Sequence, residues 1–192
     1  MKLSIVAYGN KALKEDCTEV TADYPELNQL VDNMWETMQN ADGCGLAAPQ
    51  IDKTIQLFVV DSVVMFENAD DQERKINFVN GDTGIKETFI NARIIGKSDE
   101  TWDDIEGCLS IPDVFKRVNR PWSITIEYFD REFKPQTKTF YGTTARIIQH
   151  EYDHTRGVLF VDRLSSLTKK LISKKLDKIV KGKVFTDYKM KL

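Results

Sequence analysis

His150, Glu151 and His154 share one short phrase, Gln149-His150-Glu151-Tyr152-Asp153-His154, and these are the only two histidines in the chain. On a helix, residues four apart sit one turn apart on the same face. The HExxH spacing therefore lets two ring nitrogens grip one divalent cation, with a carboxylate beside them to take a proton from water. The bland reading is two solvated histidines on a helix surface. Concentrating every histidine of 192 residues in this one pattern argues for metal binding instead.

A hydrolytic metal site wants three protein ligands and one open position. The thiols Cys17, Cys44 and Cys108 and many carboxylates are candidates for the third ligand. Downstream of His154, Asp162 and Asp177 offer oxygens, but no further histidine exists. The commonest HExxH proteases take a downstream glutamate or a third histidine. Spacing alone does not choose among these candidates.

The elements that must position the site follow from pattern. Leu27, Leu30, Val31, Met34 and Met38 recur at helical spacing, which predicts a helix over about 25–40 with Pro25 in its first turn. Gly43-Cys44-Gly45-Leu46-Ala47-Ala48-Pro49-Gln50 carries two glycines and a proline and reads as a shaped loop. A buried strand is expected at 56–61, an acidic surface excursion at 62–75, and a β segment at 87–95. Ile124, Ile126 and Tyr128 alternate on one face of a strand over 123–129, which turns through 130–132 to a hairpin partner at 137–141. Thr143 or Thr144 is expected to cap the motif helix and Gly157 to close it. Residues 158–161 read as a short apolar strand. A last helix over 165–180 carries an apolar stripe of Leu167, Leu171, Leu176, Ile179 and Val180, with lysines opposite. The expected class is α+β in a single domain over 1–192. Mixed or antiparallel β-sheets pack around a central HExxH-bearing helix, with an N-terminal helix and a C-terminal amphipathic helix.

Bulk composition excludes several classes. A net charge of −3 gives no basic field for nucleic acid, and no apolar run reaches the length of a membrane span. No signal peptide is evident, and three cysteines cannot all pair within the chain, so a cytoplasmic location with free thiols is expected. The lysine face of the last helix reads as a solvated surface.

Three phrases, Gly43 to Gln50, Glu106-Gly107-Cys108-Leu109-Ser110 and Gln149 to His154, resemble the three signature motifs of peptide deformylases, and they occur in the family's order. The resemblance extends over nearly the whole chain. It implies removal of the formyl group from the N-terminal formylmethionine of nascent polypeptides, with Cys108 joining His150 and His154 as metal ligands. It implies Fe²⁺ as the ion, and the thiolate donor also suits Zn²⁺, Ni²⁺ or Co²⁺. Glu151 is then the proton acceptor, and the Gln50 side-chain amide and the Leu109 N–H hold the oxyanion. The substrate is expected to lie extended along Gly43, Cys44, Gly45 and Leu46, with Cys44 and Ile147 lining a methionine pocket. N-formylmethionyl peptides are the expected partners, with transient ribosome contact. Glu106 and Arg120 are candidates for an internal ion pair involving Asp153; Cys17 has no assigned role. The chain departs from the pattern at Cys44, where many relatives carry an aliphatic residue, at Thr155, where leucine is commoner, and at Phe115, where some carry arginine. The rival readings are an HExxH metalloendopeptidase and a non-catalytic binder of nascent chains.

Overall fold

The computed structural model describes residues 1–192 and mixes helix with sheet. In chain order the elements are β1 (Ile5–Val6), α1 (Leu27–Asn40), β2 (Gly45–Ala47), β3 (Leu57–Asp61), α2 (Val63–Asn68), α3 (Asp71–Asn77), β4 (Lys86–Lys97), β5 (Thr101–Cys108), β6 (Ile111–Pro121), β7 (Ser123–Phe129), β8 (Pro135–Tyr141), α4 (Gly142–Thr155), α5 (Ser166–Val180) and β9 (Met190–Lys191). Short 3₁₀ turns occupy Lys11–Lys14, Ala48–Ile51 and Phe160–Arg163.

Five strands form one sheet in the order β2-β3-β4-β7-β8, with every neighbouring pair antiparallel. Successive side chains of a strand point to opposite faces. On β3 this sends Leu57 and Val59 into a cluster with Val31, Met34 and Met38 of α1. Phe58 and Val60 enter a second cluster with Ala145, Ile147 and Ile148 of α4. The sheet is thus covered on both faces, which is why β3 is an unbroken apolar run. The predicted face of β7 holds: Ile124, Ile126 and Tyr128 are buried in the α4 cluster. A third cluster joins Ile172 and Ile179 of α5 to Ile111, Val114 and Val118 of β6. The long hairpin β5–β6 stands apart from the main sheet and carries Cys108 at its turn. No helix is long and apolar enough to cross a membrane.

Several local expectations are corrected. The first helix begins at Leu27, because Glu26 adopts a left-handed φ of 53° and Pro25 lies in the turn before it. The 43–50 phrase is not all loop: Gly45–Ala47 pairs with Val60–Phe58, and Ala48–Ile51 forms a 3₁₀ turn. The acidic excursion folds into α2 and α3, the latter started by a capping box between Asp70 and Glu73. Neither Thr143 nor Thr144 caps α4. The helix starts at Gly142, whose φ is +50° and whose position against the Asn77 carbonyl leaves no room for a Cβ. Thr144 sits inside the helix and its hydroxyl meets that of Ser62 at 3.0 Å. Gly157 does follow the helix end, at φ +66°. Residues 158–161 form no strand, because the Asp162 carboxylate accepts from Leu159 N–H at 2.8 Å and winds the chain into a 3₁₀ turn. On α5 the buried seam is Ile172, Leu176 and Ile179; Leu167 and Leu171 are 70% and 73% exposed, one helical position out of that stripe.

Candidate metal centre

Cys108, His150 and His154 come from two elements that only tertiary packing brings together. α4 supplies both imidazoles from consecutive turns. Cys108 ends β5, paired with Ile111 across the two-residue turn Leu109–Ser110. Their ligand atoms all lie within 4.8 Å of one another, and Cys108 Sγ is 3.3 Å from His154 Nε2. Cys17 and Cys44 are free thiols outside this group, Asp162 is engaged at Leu159, and Asp177 is not among the clustered donors.

The donor set fits a divalent cation. One soft sulfur and two nitrogens is a ligand combination that transition ions accept. Glu151 Oε2 is buried without a hydrogen-bond partner inside the chain. Charge points the same way. Burial opposes a cation on His150, but its hydrogen bonds with Cys108 and Glu106 and the charges of Cys108 and Glu151 outweigh it and raise its pKa to about 10. Burial, and then the charge of His150, push His154 well below its ordinary value. Burial thus favours a neutral imidazole at His154, the form that ligates a metal ion.

A ring of ions, buried except for Arg163, fixes this arrangement. Glu106 Oε2 faces His150 Nδ1 at 3.0 Å, so the other ring nitrogen is turned to the cluster. Arg120, 1% exposed, grips Glu106 with Nε and Nη2 at 2.6 and 2.9 Å and Asp153 with Nη1 at 2.7 Å. Arg146 adds a bond to Glu106 at 2.7 Å, and Arg163 adds two to Asp153 at 2.7 and 2.6 Å. Burial alone would raise the Glu106 carboxyl, but the bonds from Arg120 and His150 hold it well below the usual carboxylate range. The Glu106–Arg120–Asp153 association is therefore a finding. Arg146 and Arg163 were not singled out from sequence. Arg146 is four residues before His150 on the same helix face, which is a usable signal; Arg163 offers none.

Glu151 is buried on α4 and faces β2. A Cβ on Gly45 would fall within 2.7 Å of the Glu151 Cδ, so only glycine admits the carboxylate there. Burial raises the Glu151 pKa to about 7, against the lowering influence of His150 and Arg120. Gln50 leaves the 3₁₀ turn with a fixed amide. Its Oε1 accepts from Ala47 N–H at 2.8 Å, which turns Nε2 toward Cys108 Sγ at 3.5 Å and Ser110 Oγ at 3.4 Å. The Ser110 side chain is fully buried beside this amide.

A cavity of about 500 Å³ opens over these groups. Gly43, Cys44, Gly45, Gln50, Cys108, Leu109, Ile147, His150 and Glu151 all line it. Leu46 does not: its side chain is buried in the α1 cluster, because it points to the opposite face of β2 from its neighbours. The residues at two of the departures, Cys44 and Phe115, also line the cavity, and Phe115 packs over Gly107. Burial and then the Glu151 charge push the Cys44 thiol up to about 12. β2 is the edge strand of the sheet, so its outer backbone groups face the cavity rather than another strand.

A family model described as Polypeptide deformylase matches residues 2–170. A peptide deformylase of Flavobacterium johnsoniae is 48% identical, over 100% of this chain and 96% of its own length. One of Christiangramia forsetii is 46% identical, over 100% and 96%. Among solved structures, a peptide deformylase from Legionella pneumophila aligns with a TM-score of 0.77 at 31% identity, covering 95% of this chain and 98% of the other. One from Ehrlichia chaffeensis, crystallised with actinonin, aligns with a TM-score of 0.80 at 30% identity, covering 96% and 99%.

Proposed function

Starting from the fact that this chain belongs to the polypeptide deformylase family of hydrolases, we propose that it removes the formyl group from the N-terminal formylmethionine of nascent polypeptides and releases formate. The family is metal-dependent, and here Cys108, His150 and His154 would hold the ion, with Fe²⁺ the proposed occupant. The observation that carries the reading is the convergence of those three donors beside Glu151 and Gln50, with Cys108, His150, Glu151 and Gln50 lining one cavity and His154 buried behind them.

When bound, a divalent ion there supplies Lewis acidity and brings the pKa of water toward neutrality. Glu151 accepts the proton from the attacking water and returns it to the leaving amine. Burial favours the protonated form of Glu151, which helps the group keep the proton until it is returned to the amine. The oxyanion that forms at the formyl carbon receives hydrogen bonds from Gln50 Nε2 and the Leu109 N–H. The Ala47 bond to Oε1 keeps the Gln50 amide donating in the right direction. The formyl-peptide lies extended against the free edge of β2, over Gly43, Cys44 and Gly45, in the manner of an added strand. Cys44 and Ile147 contribute the wall for the methionine side chain, and Leu46 supports this strand from the core side. The catalytic unit spans residues 1–192 and works in the cytoplasm, with transient ribosome contact giving access to new chains.

An endopeptidase reading shares only the HExxH phrase and is not favoured by the family. Anaerobically purified protein carrying Fe²⁺, incubated with formyl-Met-Ala and separately with casein, distinguishes the two. Formate release with intact casein supports the proposal; cleaved casein without formate overturns it.

A further inference from the structure

The match to the family model stops at residue 170, yet the chain beyond α5 returns to the cavity. After Val180 it reverses, and β9 pairs in parallel with β1, with Ile5 N–H bonded to the Lys189 carbonyl at 2.8 Å and Ala7 N–H to the Lys191 carbonyl at 2.7 Å. Lys191 pairs with Asp52 at 2.5 Å, and Val184 and Met190 pack on the α5 cluster. These bonds hold the segment in between against the site, where residues 185–188 line the cavity wall.

Two aromatic side chains of that segment line the cavity. Tyr188, half-buried, packs beside Leu109, and its hydroxyl donates to the Leu109 carbonyl at 2.7 Å. That carbonyl belongs to the turn whose preceding peptide presents the Leu109 N–H and whose Ser110 hydroxyl meets Gln50. Ser110 is fastened from its other end by Tyr8 N–H, which donates to its carbonyl at 2.8 Å. Phe185, 84% exposed, and Phe115, 64% exposed, both line the cavity. A large aromatic left in water on a tethered segment has an apolar contact to gain when the cavity is filled.

We propose that the C-terminal segment 183–192 is a wall of the active site, in which Tyr188 is a positioning residue for the Leu109 donor and Phe185 contacts apolar substrate residues beyond formylmethionine. This rests on the deformylase reading, and formate release by the unaltered protein tests that reading separately.

The experiment compares the full-length iron-loaded protein with Tyr188→Phe and Phe185→Ala, using formyl-Met-Ala and formyl-Met-Ala-Leu. Tyr188→Phe removes one hydroxyl and keeps the ring, so it leaves iron content intact. It should lower kcat about 3- to 10-fold with KM within about twofold on both substrates, the size of one hydrogen bond made use of in the transition state. Phe185→Ala, at an exposed position, should raise KM for the longer peptide about 3- to 10-fold more than for the shorter one. A segment that only straps the fold would shift the melting temperature and leave both ratios at the level of the unaltered protein, and that result overturns the proposal.

Discussion

His150 Nδ1 lies 3.0 Å from Glu106 Oε2, a contact across 44 residues that ties the HExxH helix to the hairpin bearing Cys108. One carboxylate thereby orients an imidazole and is itself held by Arg120 and Arg146. Glu106→Gln keeps the shape and removes the charge. It should weaken metal affinity about 10- to 100-fold, read by competition with a chelator. Unchanged affinity would mean the contact is merely structural.

Arg120→Met tests the same ring from the other side. Arg120 is 1% exposed between Glu106 and Asp153. Removing it strands buried negative charge, which typically costs about 3 to 5 kcal/mol. Urea unfolding should show a correspondingly lower midpoint.

Glu151→Ala leaves all three candidate ligands in place. Metal content should stay near that of the unaltered protein while kcat for formate release falls by about 10²- to 10⁴-fold. A variant turning over at the normal rate would remove Glu151 from the mechanism.

Gly45→Ala adds a single methyl, which must displace the Glu151 carboxylate or the β2 backbone. A displacement of about 1 Å in a catalytic group costs on the order of 10²-fold in rate. The expected signature is lost kcat/KM with retained metal, measured by formate assay and elemental analysis.

Burial, and then the charge of Asp16, raise the Cys17 thiol to about 11. In the unfolded chain that thiol ionises near pH 8.5, so above this value the unfolded state holds fewer protons than the folded one. Its contribution is therefore fully present below about pH 8.5 and is lost as pH rises toward 11. Cys17→Ala should flatten the decline of unfolding free energy with pH across that window, compared by urea titration at several pH values; an identical slope would contradict the burial argument.

The legibility of this protein divides by distance along the chain. His150, Glu151 and His154 were readable because the four-residue helical repeat fixes their mutual placement whatever surrounds them. The alternation of Ile124, Ile126 and Tyr128 was equally local, and so was the end of α4 at Gly157. The 158–161 strand failed because an Asp162 carboxylate captured the local backbone, and the α5 stripe held at Leu176 and Ile179 but not at Leu167, Leu171 and Val180, because neighbouring helix positions compete for burial and only the partner surface on β6 decides between them.

What residue order alone determined is the pair of nitrogens, the neighbouring carboxylate, the buried strand at 56–61 and the apolar face of the strand at 123–129. Folding decided the rest: that Cys108, rather than Cys17, Cys44 or a carboxylate, meets those nitrogens; that Glu106 and Arg120 close around them; and that residues 185–188 return to the cavity. Those outcomes depend on hairpin docking and on the β1–β9 pairing, whose contacts join residues tens of positions apart. A short window of sequence carries the geometry of its own turn but none of the packing energy that selects a distant partner.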